Sequence, residues 1–321
     1  MTKRERVLNT MNNKPADRPP VSFWFHFPLD MDLEKDCVDA HIDYYHRCDI
    51  DFIKIMCDGY FDYPNPIIPQ IKKPEDWYGM KPLGREHPFI QGQVKRAKEI
   101  VERVGRECCT FYNVFCPMSY FRFGTSEELL MSHLKANPDA VMHAFDVIAE
   151  DAALLSELLI TEAGCDGIYY CVQNAEEFRF SAEEYRRLVT PSDLKVLLAA
   201  NKYSDNNMLH CCGWAGDKNR LEVWQDYPAK AVNWAVFVEN MSLTEGKRFF
   251  GGKCVLGGFD NRPEGVLCSG TKEEIQEFTR KWLEENTQPG MIIGADCSLG
   301  RGIDLNRISY VTETVREYCG K

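Results

Sequence analysis

An α/β fold, a single (β/α)8 TIM barrel spanning residues 1–321, is what this sequence predicts, on three observations. Eight short runs are almost continuously apolar, as strands of a parallel sheet covered on both faces must be. Longer helical segments alternate with them. No Pro/Gly/Ser-rich linker divides the chain, and barrels of this class commonly run to such a length as one domain.

The elements follow in order. The first candidate strand is PVSFWFHF at Pro20, and the helix EKDCVDAHIDYYHRC then begins at Glu34. DFIKIM at Asp51 is the second strand; the stretch 59–88, rich in proline, glycine and aromatics, reads as a long loop over the barrel mouth. After the helix IQGQVKRAKEIVERV comes TFYNVF at Thr110, and then two helices broken near Asn137-Pro138. DGIYYCV at Asp166 leads to a helical segment with a capping box, Ser181 with Glu184. NMLHCCG at Asn207, AVNWAVFV at Ala231 and CVLGGFD at Cys254 follow. Thr271 with Glu274 caps the next helix, GMIIGADC at Gly290 is the last strand, and DLNRISYVTETVREYC closes the chain. A doubly wound open sheet is the alternative, but no Gly-rich phosphate loop follows the first strand.

Charge and composition exclude several partners. The net charge is −11, from 38 basic and 49 acidic residues, and no basic run exceeds two, which argues against nucleic acid and anionic membrane surfaces. The N-terminus lacks an apolar core of the secretory type. The most apolar stretch, VMHAFDVIAEDAALLSELLI, carries Asp146, Glu150, Asp151 and Glu157 and is an amphipathic helix, not a membrane span. The expectation is a cytoplasmic protein whose 14 cysteines are reduced, most of them acting as small hydrophobes.

Barrel chemistry sits at the C-terminal ends of the strands. Those ends present His26, Asp58, Asn113 with Cys116, Gln173 with Asn174, His210 with Cys212, Glu239, Asp260 with Asn261 and Arg262, and Asp296 with Cys297. Side chains alternate along a strand, so in HCCG His210 and Cys212 share a face and Cys211 takes the other. Cys297, after another apolar run, is the candidate third ligand of a His/Cys/Cys set. Such a set suits zinc, and three protein ligands with one open position describe a catalytic site. The bland alternative is a core histidine among packing cysteines. Trp24, Phe25, Phe27, Tyr60 and Phe61 read either as a ring-binding pocket or as barrel core, while His41, His46, His133 and His143 fall on helices.

Several motifs together resemble the uroporphyrinogen decarboxylase superfamily. TKRERVLNTMNNKPADRPPV resembles its opening helix and Asp-Arg-x-Pro, and FSAEEYRRLVTPSDLKVL its helix entry after the fourth candidate strand. LHCCG resembles its His-x-Cys-Gly, and VLGGFDNR sits where relatives carry a polar turn. True uroporphyrinogen decarboxylases carry an Arg-rich motif after the first strand to grip carboxylates; SFWFHFPLDMD has no arginine there. The resemblance is nearer the cobalamin-linked methyltransferases. It implies Zn²⁺ on His210, Cys212 and Cys297, a thiol or folate-type acceptor, and a methyl-corrinoid donor, free or on a partner protein. It also implies a homodimer, as superfamily members often are.

Within that reading Glu239 is a fourth ligand or a base. The remaining polar strand ends, His26, Asp58, Asn174, Asn261 and Arg262, are candidates to bind substrate. Two other functions stay open. One is a carboxy-lyase acting on a less anionic substrate, with Asp58 or Asp260 as the catalytic acid that steadies a protonated intermediate. The other is a non-enzymatic carrier of a corrinoid or tetrapyrrole.

Overall fold

The computed structural model describes residues 1–31 and 34–320. Among them seven parallel strands form one sheet in simple sequential order: β1 (Phe52–Ile55), β2 (Cys109–Phe115), β3 (Gly167–Val172), β4 (Met208–Cys211), β5 (Ala231–Trp234), β6 (Cys254–Phe259) and β7 (Met291–Ala295). Every strand residue is buried, as the apolar runs require. The helices between strands begin where their caps predict: Ser181 and Thr271 each accept the N3 backbone N–H of the helices Ala182–Leu188 and Lys272–Glu285, and Glu184 and Glu274 reciprocate. The Asn137-Pro138 break separates Glu127–Ala136 from Pro138–Thr161. No helix of the described residues is long and apolar enough to cross a membrane.

The first candidate strand is corrected: Pro20–Phe27 is not a regular strand, and the hydrogen-bonded ladder of the barrel does not close. The segment still occupies the eighth position. It bridges β7 through Val21–Ile293 and meets the residues beyond β7 through Phe25–Leu299. On its other side only the Asp51 N–H to Val21 carbonyl bond, 2.8 Å, is of ladder type. Pro19 and Pro20 have no N–H to give, the Val21 N–H is taken by the Asp51 carboxylate at 2.8 Å, and Ser22 Oγ bonds the Phe52 carbonyl at 2.8 Å. Side chains here do what a backbone ladder does elsewhere. Asp51 is also held by Arg6 at 2.7 Å and Arg18 at 2.7 Å, so the N-terminal helix Lys3–Met11 is pinned beneath the sheet.

The stretch 59–88 is not loop throughout. It contains the 3-10 turns Ile68–Gln70 and Pro74–Gly79, and buries Trp77 and Met80. Parallel pairing sets the level of each inward side chain. Cys171 of β3 lies opposite His210 of β4, which lies opposite Asn233 of β5. Three polar groups therefore enter the barrel at one height.

Candidate metal centre at the barrel mouth

His210 and Cys212 stand two residues apart at the end of β4, and Cys297 follows β7. Their ligand atoms converge: Cys212 Sγ to Cys297 Sγ is 3.6 Å, Cys297 Sγ to His210 Nε2 is 3.5 Å, and all three lie within 4.8 Å of one another. With Zn–S near 2.3 Å and Zn–N near 2.0–2.1 Å, tetrahedral ligands stand about 3.8 Å (S···S) and about 3.6 Å (S···N) apart. The two spacings that involve Cys297 are close to that geometry, and the sulfurs are far too distant for a disulfide. The donor set thus fits a zinc ion with one position left open. Hydrogen bonding to Cys212 draws the Cys297 thiol well below its ordinary range, and the same bond pushes Cys212 up.

The imidazole is aimed by its neighbours. Asn233 Nδ2 donates to the carbonyls of Leu256 at 2.9 Å and Ala295 at 3.2 Å, which leaves Oδ1 facing His210 as an acceptor. Oδ1 takes Nδ1–H of His210, and Tyr169 Oη donates to the same oxygen at 3.1 Å. His210 therefore carries its proton on Nδ1 and presents the Nε2 lone pair to the thiols, an arrangement that orients metal-binding histidines generally. Trp24 and Tyr169 wall the ring, with centroids at 6.3 and 5.8 Å.

The triad opens on a cavity of about 410 Å³. Its deep wall includes Lys54, Asn113, Cys171 and Gln173; nearer the mouth are His26, Phe61, Asp62, Arg122 and Trp214. Arg122 donates to Gln173 Oε1 at 2.9 Å and lies 4.1 Å over the half-exposed Trp214 ring. Cys211 has no share in this cavity: it is fully buried on the opposite face of the strand, and burial pushes its thiol well up.

The other sequence candidates are distributed unevenly. His26 lines the cavity, with Nδ1 2.6 Å from Asp58 Oδ1. Asp58 is fully buried behind it and uses its second oxygen on the Phe27 N–H at 2.9 Å, so it orients His26 and does not face the cavity. Asn174 is buried on a left-handed backbone and donates to Ser119 at 3.2 Å. Glu239 is turned to Asn219, receiving its N–H and its side-chain amide at 3.0 Å each, away from the three ligand atoms. Asp260 is locked to Arg262 at 2.6 Å and accepts its N–H at 3.0 Å; Asn261 donates to the Ser298 carbonyl at 3.3 Å. None of these three lines the cavity. Of the aromatics, Phe61 reaches it, whereas Trp24, Phe25 and Phe27 are buried core. Sequence reading missed Asn233 and Lys54; each is a polar residue inside an otherwise apolar parallel strand, AVNWAV and DFIKIM, and that exception was the available signal.

Comparison with known proteins agrees with this fold. Residues 60–318 match the sequence profile of the family described as Uroporphyrinogen decarboxylase (URO-D). Among solved structures, a methyltransferase from Methanosarcina mazei is similar at TM-score 0.78 and 16% identity, covering 99% of both chains. A putative vitamin-B12 independent methionine synthase from Listeria monocytogenes aligns at TM-score 0.52 and 10% identity, over 88% of this chain and 85% of that one. At such identities these likenesses speak for the fold alone. A search of curated protein sequences found no match. With the profile covering most of its length, the chain belongs to the uroporphyrinogen decarboxylase (URO-D) family.

Proposed function

We propose that this protein is a zinc-dependent methyltransferase that moves a methyl group from a methyl-corrinoid, free or carried by a partner protein, to a small thiol or similar acceptor. The observation that carries the reading is the convergence of His210 Nε2, Cys212 Sγ and Cys297 Sγ to within 4.8 Å of one another beside an open cavity. Zinc held there supplies one chemistry: an acceptor thiol at the open position loses its proton and is available at neutral pH as a nucleophile. The protein's own part is to fix the ligand geometry through Asn233, to wall the site with Trp24 and Tyr169, and to leave the mouth open to a bulky donor. The methyltransferase name of the Methanosarcina protein, and the resemblance of the His-x-Cys and distant Cys pattern, point the same way.

The carboxy-lyase reading, on a less anionic substrate, has less support. The two acids it calls on are engaged by their neighbours, Asp58 by His26 and the Phe27 N–H and Asp260 by Arg262, and neither lines the cavity. The test has two parts. Elemental analysis is expected to find about one zinc per chain, lost in the Cys212→Ala, Cys297→Ala double variant. Methylcobalamin is expected to methylate a panel of thiols only in the absence of chelator. Zinc retained in the double variant, or transfer that ignores the chelator, refutes the reading.

A further inference from the structure

Lys54 is the least expected residue in the cavity. It lies in the middle of β1, is only 5% exposed, and has no carboxylate within ion-pairing distance among the described residues. Its ammonium sits 4.1 Å over the Tyr169 ring and 4.7 Å over the Trp24 ring, the same two rings that wall His210. Its ammonium reaches Cys171 Sγ at 4.0 Å. That sulfur is no counter-ion: Cys171 donates its proton to Asn113 Oδ1 at 2.9 Å, and burial pushes the thiol up to about 11. Tyr169 is a neutral phenol that donates to Asn233. Apart from the Cys297 sulfur, whose thiol the Lys54 charge helps to draw down, this buried cation faces neutral groups, which is costly, and two aromatic faces compensate in part. Yet Lys54 points into the cavity that the triad opens on.

We propose that Lys54 is the countercharge for an anionic ligand at the open position of the His210/Cys212/Cys297 site, so that the cavity selects anions, thiolates above all, over neutral donors. The proposal rests on the metal reading above. Its logic is charge balance. A divalent ion, two cysteine thiolates and a neutral imidazole sum to zero, so a further thiolate leaves the group with one uncompensated negative charge in a water-poor site. The ammonium of Lys54 restores neutrality without touching any of the three ligands. Lys54 is thus a positioning residue for charge, acting on the incoming ligand through space.

The test replaces zinc by Co²⁺, whose visible bands report ligand exchange, and titrates the full-length protein with azide as the anionic probe and imidazole as the neutral one. Lys54→Met is expected to weaken azide roughly ten- to hundredfold, as removal of one unit charge several ångströms away in a partly buried site should, and to leave imidazole within about twofold. Lys54→Arg is expected to keep most of the azide affinity, and Lys54→Gln, also uncharged, stands in if the Met variant does not fold. Azide affinity unchanged in the uncharged variants, or azide and imidazole weakened together, overturns the proposal. A wild-type protein that shows no thiolate–cobalt absorption fails earlier: it removes the metal reading, and the Lys54 proposal with it.

Discussion

Two buried histidines, His41 and His210, show how similar surroundings can serve opposite ends. His41 lies in the helix Glu34–Cys48, donates Nδ1–H to the Cys37 carbonyl at 2.7 Å and accepts the Met56 N–H on Nε2 at 2.9 Å. Both nitrogens are consumed by backbone, and burial pushes its pKa down to about 4, so it is a neutral strut between helix and strand. His210 is equally buried, but only Nδ1 is consumed, by Asn233; Nε2 meets nothing but a sulfur at 3.5 Å. Burial does not distinguish the proposed ligand from a strut. The difference lies in whether the second nitrogen is left for a soft donor set.

The sharpest way to break this comparison is to remove each ring in turn. His210→Ala is expected to lose zinc outright under dialysis conditions that leave the wild type loaded, while the metal-free protein's urea midpoint moves little. His41→Ala should do the reverse: zinc stays near wild type, and stability falls by about 3 kcal/mol, for an unpaired Met56 N–H and the cavity left behind. Paired zinc analysis and urea unfolding read both outcomes. If both variants lose zinc and stability alike, the distinction between strut and ligand is wrong.

Asn233 carries the next largest effect, because it decides which nitrogen of His210 is free. Asn233→Leu removes the acceptor for Nδ1–H, and zinc affinity is expected to fall about 10- to 100-fold. Asn233→Asp keeps an acceptor at the same place and should retain most of that affinity. Competition with a chromophoric chelator measures both. Equal loss in the two variants would make Asn233 a packing residue with no part in orienting the ring.

The pH dependence of stability sharpens the other half of the comparison. His41 in the unfolded chain titrates near 6.5 and in the folded protein near 4, so its contribution is full above pH 6.5 and is lost as pH falls toward 4. Between pH 7 and pH 5 the loss from this residue is about 2 kcal/mol. Asp193 and Asp296, pushed up by burial to about 7 and about 8, act in the opposite sense over the same range. The measurement is therefore a difference: wild type minus His41→Gln, by urea unfolding at both pH values. The gap between the two proteins should shrink on acidification, and a constant gap would mean that His41 does not titrate as its surroundings dictate.

How much of this was legible in the sequence follows from which physical signal each feature leaves. Seven of the eight strands were visible because parallel strands buried on both faces write an unbroken apolar run. The eighth run was apolar too; what it could not show was that Asp51 and Ser22 would satisfy its backbone in place of a ladder. His210 and Cys212 were legible from the pleat, and the approach of Cys297 across the barrel needed the fold class as well. Engagement was not legible. Glu239 and Asp260 look catalytic and Arg262 substrate-binding in one dimension, but their partners, Asn219 for Glu239 and each other for Asp260 and Arg262, are set by loop geometry that no spacing encodes. Asn233 and Lys54 erred the other way, written plainly as polar residues in apolar strands yet hidden among residues that merely pack.

The smallest predicted effect is the one closest to the pleat itself. Cys211 and Cys212 are neighbours in sequence, both buried, and differ in which face of β4 they take. Cys211→Ser places a hydroxyl in a fully buried apolar setting on the outer face, at an expected stability cost of about 1–3 kcal/mol, with zinc content unchanged. Cys212→Ser exchanges a soft ligand for a weak one and should lose zinc, with little cost to the metal-free fold. The two single variants differ by one position in the chain and are expected to split cleanly between the two assays. Zinc loss in a folded Cys211→Ser protein would mean that the strand end is bulged and that the inward face begins one residue earlier.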